Sequence, residues 1–201
     1  MVHATHPKDS LALDYYKLFS VVLLLVLPLL TMRLLAEEKR QGTFELLLTY
    51  PIKDSDAIAG KYLAALTVFT VLLGCTALYP IMLAIFSEPE LGPILSGYLG
   101  LFLVGSTFIA MGIFFSSLTS SQLVAGVATF GVSLFFLIIG WAAPFVGPNF
   151  SKVIVQFSLL EHFDSFAKGV IDTQDISYYV FLTIFFIFLT LKSLESTRWR
   201  S

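Results

Sequence analysis

The sequence predicts an all-α, polytopic membrane helix bundle, and three observations carry that prediction. Hydrophobic residues make up 57% of the 201-residue chain and charged residues only 13%, against ~45–50% and ~25% in a soluble domain. Mean hydropathy is +0.86. The apolar residues, 20 Phe among them, gather into five stretches long enough to cross a hydrocarbon core, which takes roughly 20 residues of helix. Lipid is the solvent for such a chain. That excludes a soluble enzyme, a disordered chain and a disulfide-stapled secreted module. A net charge of −2 provides no basic surface, so no nucleic-acid partner is expected. The single Cys, Cys75, cannot form an intrachain disulfide and reads as a small core residue.

The whole chain, 1–201, is expected to form a single transmembrane domain. Residues 1–16 form a tail, and the five spans cover 17–36, 57–86, 94–118, 122–145 and 176–194. The first is a retained helix rather than a cleaved signal. Its apolar run continues through Leu35 and Ala36, and Glu37-Glu38 follow with no small-residue cleavage site. Pro28 and Pro80 are expected to kink the first two spans. Orientation follows from Lys and Arg in the short loops. The segment after the first span has Arg33, Lys39, Arg40, Lys53 and Lys61, and the C-terminal tail adds Lys192, Arg198 and Arg200. The other side has Lys8, Lys17, Lys152 and Lys168. Eight against four places the C-terminus in the cytoplasm and residues 1–16 outside.

No charged residue lies deep in a span, because Arg33, Lys61 and Lys192 sit near ends, where long side chains reach the headgroups. Ion-coupled carriers and voltage sensors need buried ionisable groups, so the motive force should come from another subunit. Small polar residues do occur inside. Ala125, Thr129 and Ser133 fall four apart on one face of the fourth span, and Ser106 and Ala110 do the same on the third. Such faces let helix backbones approach closely, either within the chain, the simpler reading, or against a second subunit.

Two segments are longer than a connection requires. In 37–56, on the cytoplasmic side, a charged cluster precedes Gly42. Phe44, Leu47 and Leu48 then share one helical face while Glu45 projects elsewhere, and Pro51 stops the run. Asp54, Ser55 or Asp56 is expected to cap the next helix. This is a short amphipathic helix lying along the membrane. From periodicity alone, a surface-lying helix that only anchors the loop is the favoured reading. In 146–175, outside, Ser158-Leu159-Leu160-Glu161 is a capping-box pattern. The helix it opens should present Leu159, Phe163, Phe166 and Val170 on one face and end at Gly169, with Asp172, Thr173 or Asp175 capping the last span. His162 stands beside Glu161 and Asp164, but helix neighbours one and two apart do not converge on one ion, so no metal site is expected.

These residues carry a resemblance. The pattern Glu37-Glu38-Lys39-Arg40-x-Gly42-Thr43-x-Glu45-Leu46-Leu47-Leu48-x-x-Pro51, followed by Gly60-Lys61-Tyr62, resembles the cytoplasmic signature of type-2 ABC-transporter permeases. The closest look is to those of gliding motility and nitrous-oxide-reductase maturation. The run from His162 through Phe163, Phe166 and Gly169 to Asp172 is similar to the motility-type branch, and the family has a re-entrant helical pair before its last span. The usual six spans with a cytoplasmic N-terminus become five here, and 1–16 resembles the external loop between the family's first and second helices.

The resemblance implies that Glu37, Glu38, Arg40, Gly42, Thr43, Phe44, Glu45, Leu47, Leu48 and Pro51 dock a separate ABC-type ATP-binding subunit, and that Glu161 and His162 belong to the external helix. It implies a second permease copy or a related permease, a bacterial inner membrane, and export. ATP and magnesium would be bound by the partner and no cofactor by this chain, in which Gly60-Lys61-Tyr62 lacks the phosphate-binding pattern. No catalytic array is present in the sequence. A membrane scaffold with no transport path is the alternative.

Overall fold

The computed structural model of the chain describes residues 19, 22–43, 53–78, 80, 82 and 91–198. All the regular structure among them is helical. The first segment, α1 (residues 22–31), opens into turns at 32–35, so the single helix expected over 17–36 breaks after Thr31. The helix passes through Pro28, whose missing N–H affects only the turn before it. The proline's own carbonyl accepts from the Met32 amide at 2.9 Å before the chain turns. A short helix, α2 (Ala36–Gln41), follows and stops at Gly42, whose φ of 71° is left-handed.

Next come α3 (Asp54–Thr76), α4 (Leu91–Leu118) and α5 (Gln122–Ile138). None of Asp54, Ser55 and Asp56 is the N-cap of α3, because the helix starts one residue earlier than a side-chain cap would require. Lys53 holds the cap position without a side-chain bond, and Asp54 and Asp56 lie in the first turn, where the helix dipole favours acid. The stretch expected as one span over 122–145 is α-helical to Ile138 and tightens to a 3-10 helix over Ile139–Phe145 that contains Pro144. Two short helices, α6 (Pro148–Phe157) and α7 (Leu159–Ala167), then form a hairpin ahead of α8 (Thr173–Arg198). Among the described residues, four helices are long and apolar enough to cross a membrane: Asp54–Thr76, Gly92–Leu118, Gln122–Phe145 and Thr173–Ser196. Of the first expected span, only residue 19 and residues 22–36 are described.

The core gathers on α4. Its most apolar window is 72% buried, against 22–28% for the other three spans, so the others surround it and turn one face each to lipid. Two of its glycines allow that crowding. A side chain at Gly105 would overlap the Phe69 ring of α3, and one at Gly112 would overlap Thr31 of α1. The ladder of small residues spaced four apart on α5 is the face that meets α4: Ala125, Thr129 and Ser133 are fully buried, and the Ser133 hydroxyl lies 3.6 Å from Met111 Sδ. Ser106 and Ala110 are likewise inside.

Cys75 is exposed, contrary to the core position expected for it. The buried face of α3 is Ile58, Ala65, Phe69 and Leu73, and a residue two beyond Leu73 points about 200° away from it.

Candidate functional site

The first candidate site is the elbow where α1 gives way to α2. Breaking a helix leaves backbone N–H groups without partners, and the residue in the N-cap position of α2, Leu35, has no side chain to offer them. A residue from the far side of the chain supplies the cap. The Ser116 hydroxyl, near the end of α4 and fully buried, accepts from the amides of Leu35 at 3.0 Å and Ala36 at 2.9 Å. It also donates to the Met32 carbonyl at 3.1 Å. Lys39 Nζ donates to the neighbouring Ser117 carbonyl, and burial holds that ammonium below lysine's ordinary value. Lys61 of α3 donates to the Leu34 carbonyl at 2.9 Å and forms an ion pair with Glu38. The elbow is therefore fastened to both α3 and α4.

This geometry divides the residues that the sequence groups as a docking surface. Glu38 turns inward to pair with Lys61, which stands about two turns into α3. Glu37 accepts from Gln41 Nε2 at 2.6 Å along α2. Arg40, Gly42 and Thr43 are exposed. Phe44, Glu45, Leu47, Leu48 and Pro51 lie outside the described residues. Beside the elbow, a groove of about 860 Å³ runs between α1 and α5. Leu25, Leu29, Val127 and Phe130 line its apolar length, and Arg40 and Gln122 sit at its polar end.

The opposite end of the bundle holds the hairpin. Ser158 caps α7 by accepting from the Glu161 amide, while Leu159, Phe163 and Phe166 are buried. Val170 does not join that face and is exposed. The helix has already ended at Ala167, and Gly169 (φ 83°) swings the chain round against Pro93. Asp172 caps the last helix, accepting from the Gln174 amide at 3.0 Å. Asp175 instead is buried and lies 2.7 Å from His162 Nδ1. His162 Nε2 lies 3.1 Å from the Gln156 carbonyl, and its ring stacks on Tyr178 with centroids 4.1 Å apart. Glu161 stays exposed. Ser96 of α4 donates to the Phe166 carbonyl at 2.7 Å and Tyr179 to that of Leu159 at 2.7 Å. Among the described residues no three His, Cys, Asp or Glu side chains come together as metal ligands.

A model for the ABC-2 family transporter protein matches residues 1–190. The chain belongs to the ABC-2 transporter family. It is accordingly a multi-pass integral membrane protein and a permease subunit, the membrane component of a transporter whose family works with an ABC-type ATP-binding subunit. Comparison with curated proteins gives no match. The match is to the family as a whole and assigns no branch within it.

The sequence reading overlooked Ser116 and Ser117, which hold the elbow, and Tyr178 and Tyr179, which hold the hairpin. A usable signal existed for the first pair. Two serines at the end of a long apolar run, ahead of Thr119, Ser120 and Ser121, are costly in lipid unless a neighbouring backbone needs them.

Proposed function

We propose that this chain is the membrane half of an ATP-driven exporter in a bacterial inner membrane, and that the elbow with the segment after it receives the ATP-binding subunit on the cytoplasmic side. The observation that carries the reading is mechanical. The elbow is tied by Ser116 and Lys39 to α4 and by Lys61 to α3. A push delivered there reaches the most buried helix of the bundle directly, and rigid-body shifts of packed helices are the usual means of switching access. The partner binds ATP and magnesium, and its closure supplies the motion. Two permease copies, or this one and a related partner, line the path. The groove between α1 and α5, apolar with Arg40 at one end, is the surface best suited to face it. The balance of Lys and Arg supports a cytoplasmic elbow and C-terminus.

Phe44, Leu47 and Leu48 supply the apolar contact to the partner, with Glu45, Glu37 and Arg40 as charged rim. Leu47→Asp is expected to lower recovery of the ATP-binding subunit with the tagged chain by at least about tenfold, the scale of losing one interface anchor. Membrane insertion should be unaffected. Undiminished recovery in that variant would sink the docking assignment, and absence of any ATPase with the wild-type chain would favour a scaffold.

A further inference from the structure

We propose that the α6–α7 hairpin is latched to α8 by a proton shared between His162 and Asp175, so that acid closes the latch and base releases α6. The argument rests on hydrogen-bond chemistry. His162 Nδ1 faces a carboxylate oxygen at 2.7 Å and Nε2 faces a backbone carbonyl at 3.1 Å. A carbonyl only accepts, so Nε2 must carry a proton to bond it. The contact to Asp175 then needs a second proton, either on Nδ1 or on the carboxyl group. Both arrangements are the same protonation level of the pair. Remove one proton and a single N–H remains for two acceptors, so one of the two bonds is lost.

The bond at risk is the one to Gln156, since the alternative leaves Asp175, the more buried partner, facing a ring nitrogen with no proton between them. Gln156 is in the last turn of α6, where helix carbonyls lack internal partners and the dipole favours a cation. The next carbonyl, that of Phe157, is held by the Tyr178 hydroxyl at 2.8 Å, and Tyr178 is the ring on which His162 stacks. The end of α6 is thus fastened by one stacked pair of side chains. The histidine and aspartate side chains are only 11% and 10% exposed, while the Gln156 carbonyl lies at the exposed end of α6, so release trades a direct tie between α6 and α7 for water at that carbonyl.

The charged surroundings are few. Asp175 and Tyr178 face the ring from α8. On its own helix are Glu161 and Asp164, and Lys168 and Asp172 lie in the turn that follows. Lys152 is the one charged residue of α6, a turn before Gln156, and α4 and α5 carry none. The latch concerns the hairpin itself and holds whatever the pathway carries.

Hydrogen–deuterium exchange of the full chain in lipid nanodiscs tests this at about pH 5.5 and about pH 8.5, either side of the range in which histidines change charge. After correction for intrinsic exchange, peptides within 148–157 should exchange roughly fivefold faster at the higher pH, the factor one net hydrogen bond carries. In His162→Gln, which has no titrating proton, the difference should vanish. Equal protection of the wild type at both pH values overturns the latch, as does a difference that survives in His162→Gln. If that variant does not fold, 15N spectra of the wild-type ring still decide. A His162 titration that does not coincide with the change in exchange rejects the proposal.

Discussion

Ser116 spends its full hydrogen-bonding capacity on a strand of backbone some 80 residues earlier in the chain, two amides accepted and one carbonyl given a proton. Replacing it by Ala leaves buried backbone groups unpaired, which costs about 1–3 kcal/mol. Ser117 is equally buried, but its hydroxyl bonds only the Phe114 carbonyl of its own helix at 2.7 Å, and what Lys39 uses is its backbone. Ser117→Ala should therefore cost less than about 1 kcal/mol. Thermal unfolding of the two variants in the same detergent separates them, and equal losses would contradict this account of the elbow. Little of that was legible in the sequence. Charged residues at 37–40 declare a surface, and nothing in them says that Glu38 will meet Lys61 while Arg40 stays exposed. That choice depends on where α3 begins relative to the elbow, a long-range fact. The capping pattern at Ser158 was legible because its donor lies three residues away, whereas the role of Asp175 needed His162 from another helix.

At the scale of elements, long apolar runs make the all-helical bundle plain, and the period-four ladder on α5 marks a close-packed face. What the runs do not reveal is where a helix gives up inside an apolar stretch. The break after Thr31 and the tightening after Ile138 occur among residues that lipid would accept in any helix. Pro144 lies inside the tightened turns, whereas the helix runs unbroken through Pro28 and gives way where Ser116 of α4 takes the amides of Leu35 and Ala36. Glycines show the same limit. Gly112→Ala should destabilise the bundle by about 1–3 kcal/mol, the cost of overpacking, since its added methyl meets Thr31. Gly131, with nothing within 4 Å of the corresponding position, should accept Ala with no loss or a gain of about 0.5–1 kcal/mol. Unfolding by denaturant in mixed micelles checks the pair, and the opposite ranking would mean that α1 and α4 do not touch there.

Across the whole molecule, α4 joins two ends of different character. One end has the elbow, with Lys39 and Lys61 spent on backbone carbonyls. The other has the hairpin, whose buried aromatic residues sit against α4 at Gly100 and Ser96. The elbow end is proposed to face the cytoplasm and the ATP-binding subunit, which makes the two ends distinguishable by what they touch. A photo-crosslinking residue placed at Leu47 in native membranes is the most direct test, with the same residue at exposed Ile171 beyond the hairpin as its control. The account predicts an adduct with an ABC-type ATP-binding subunit from Leu47 and none from Ile171. No such adduct at Leu47, or equal adducts at both positions, would contradict it.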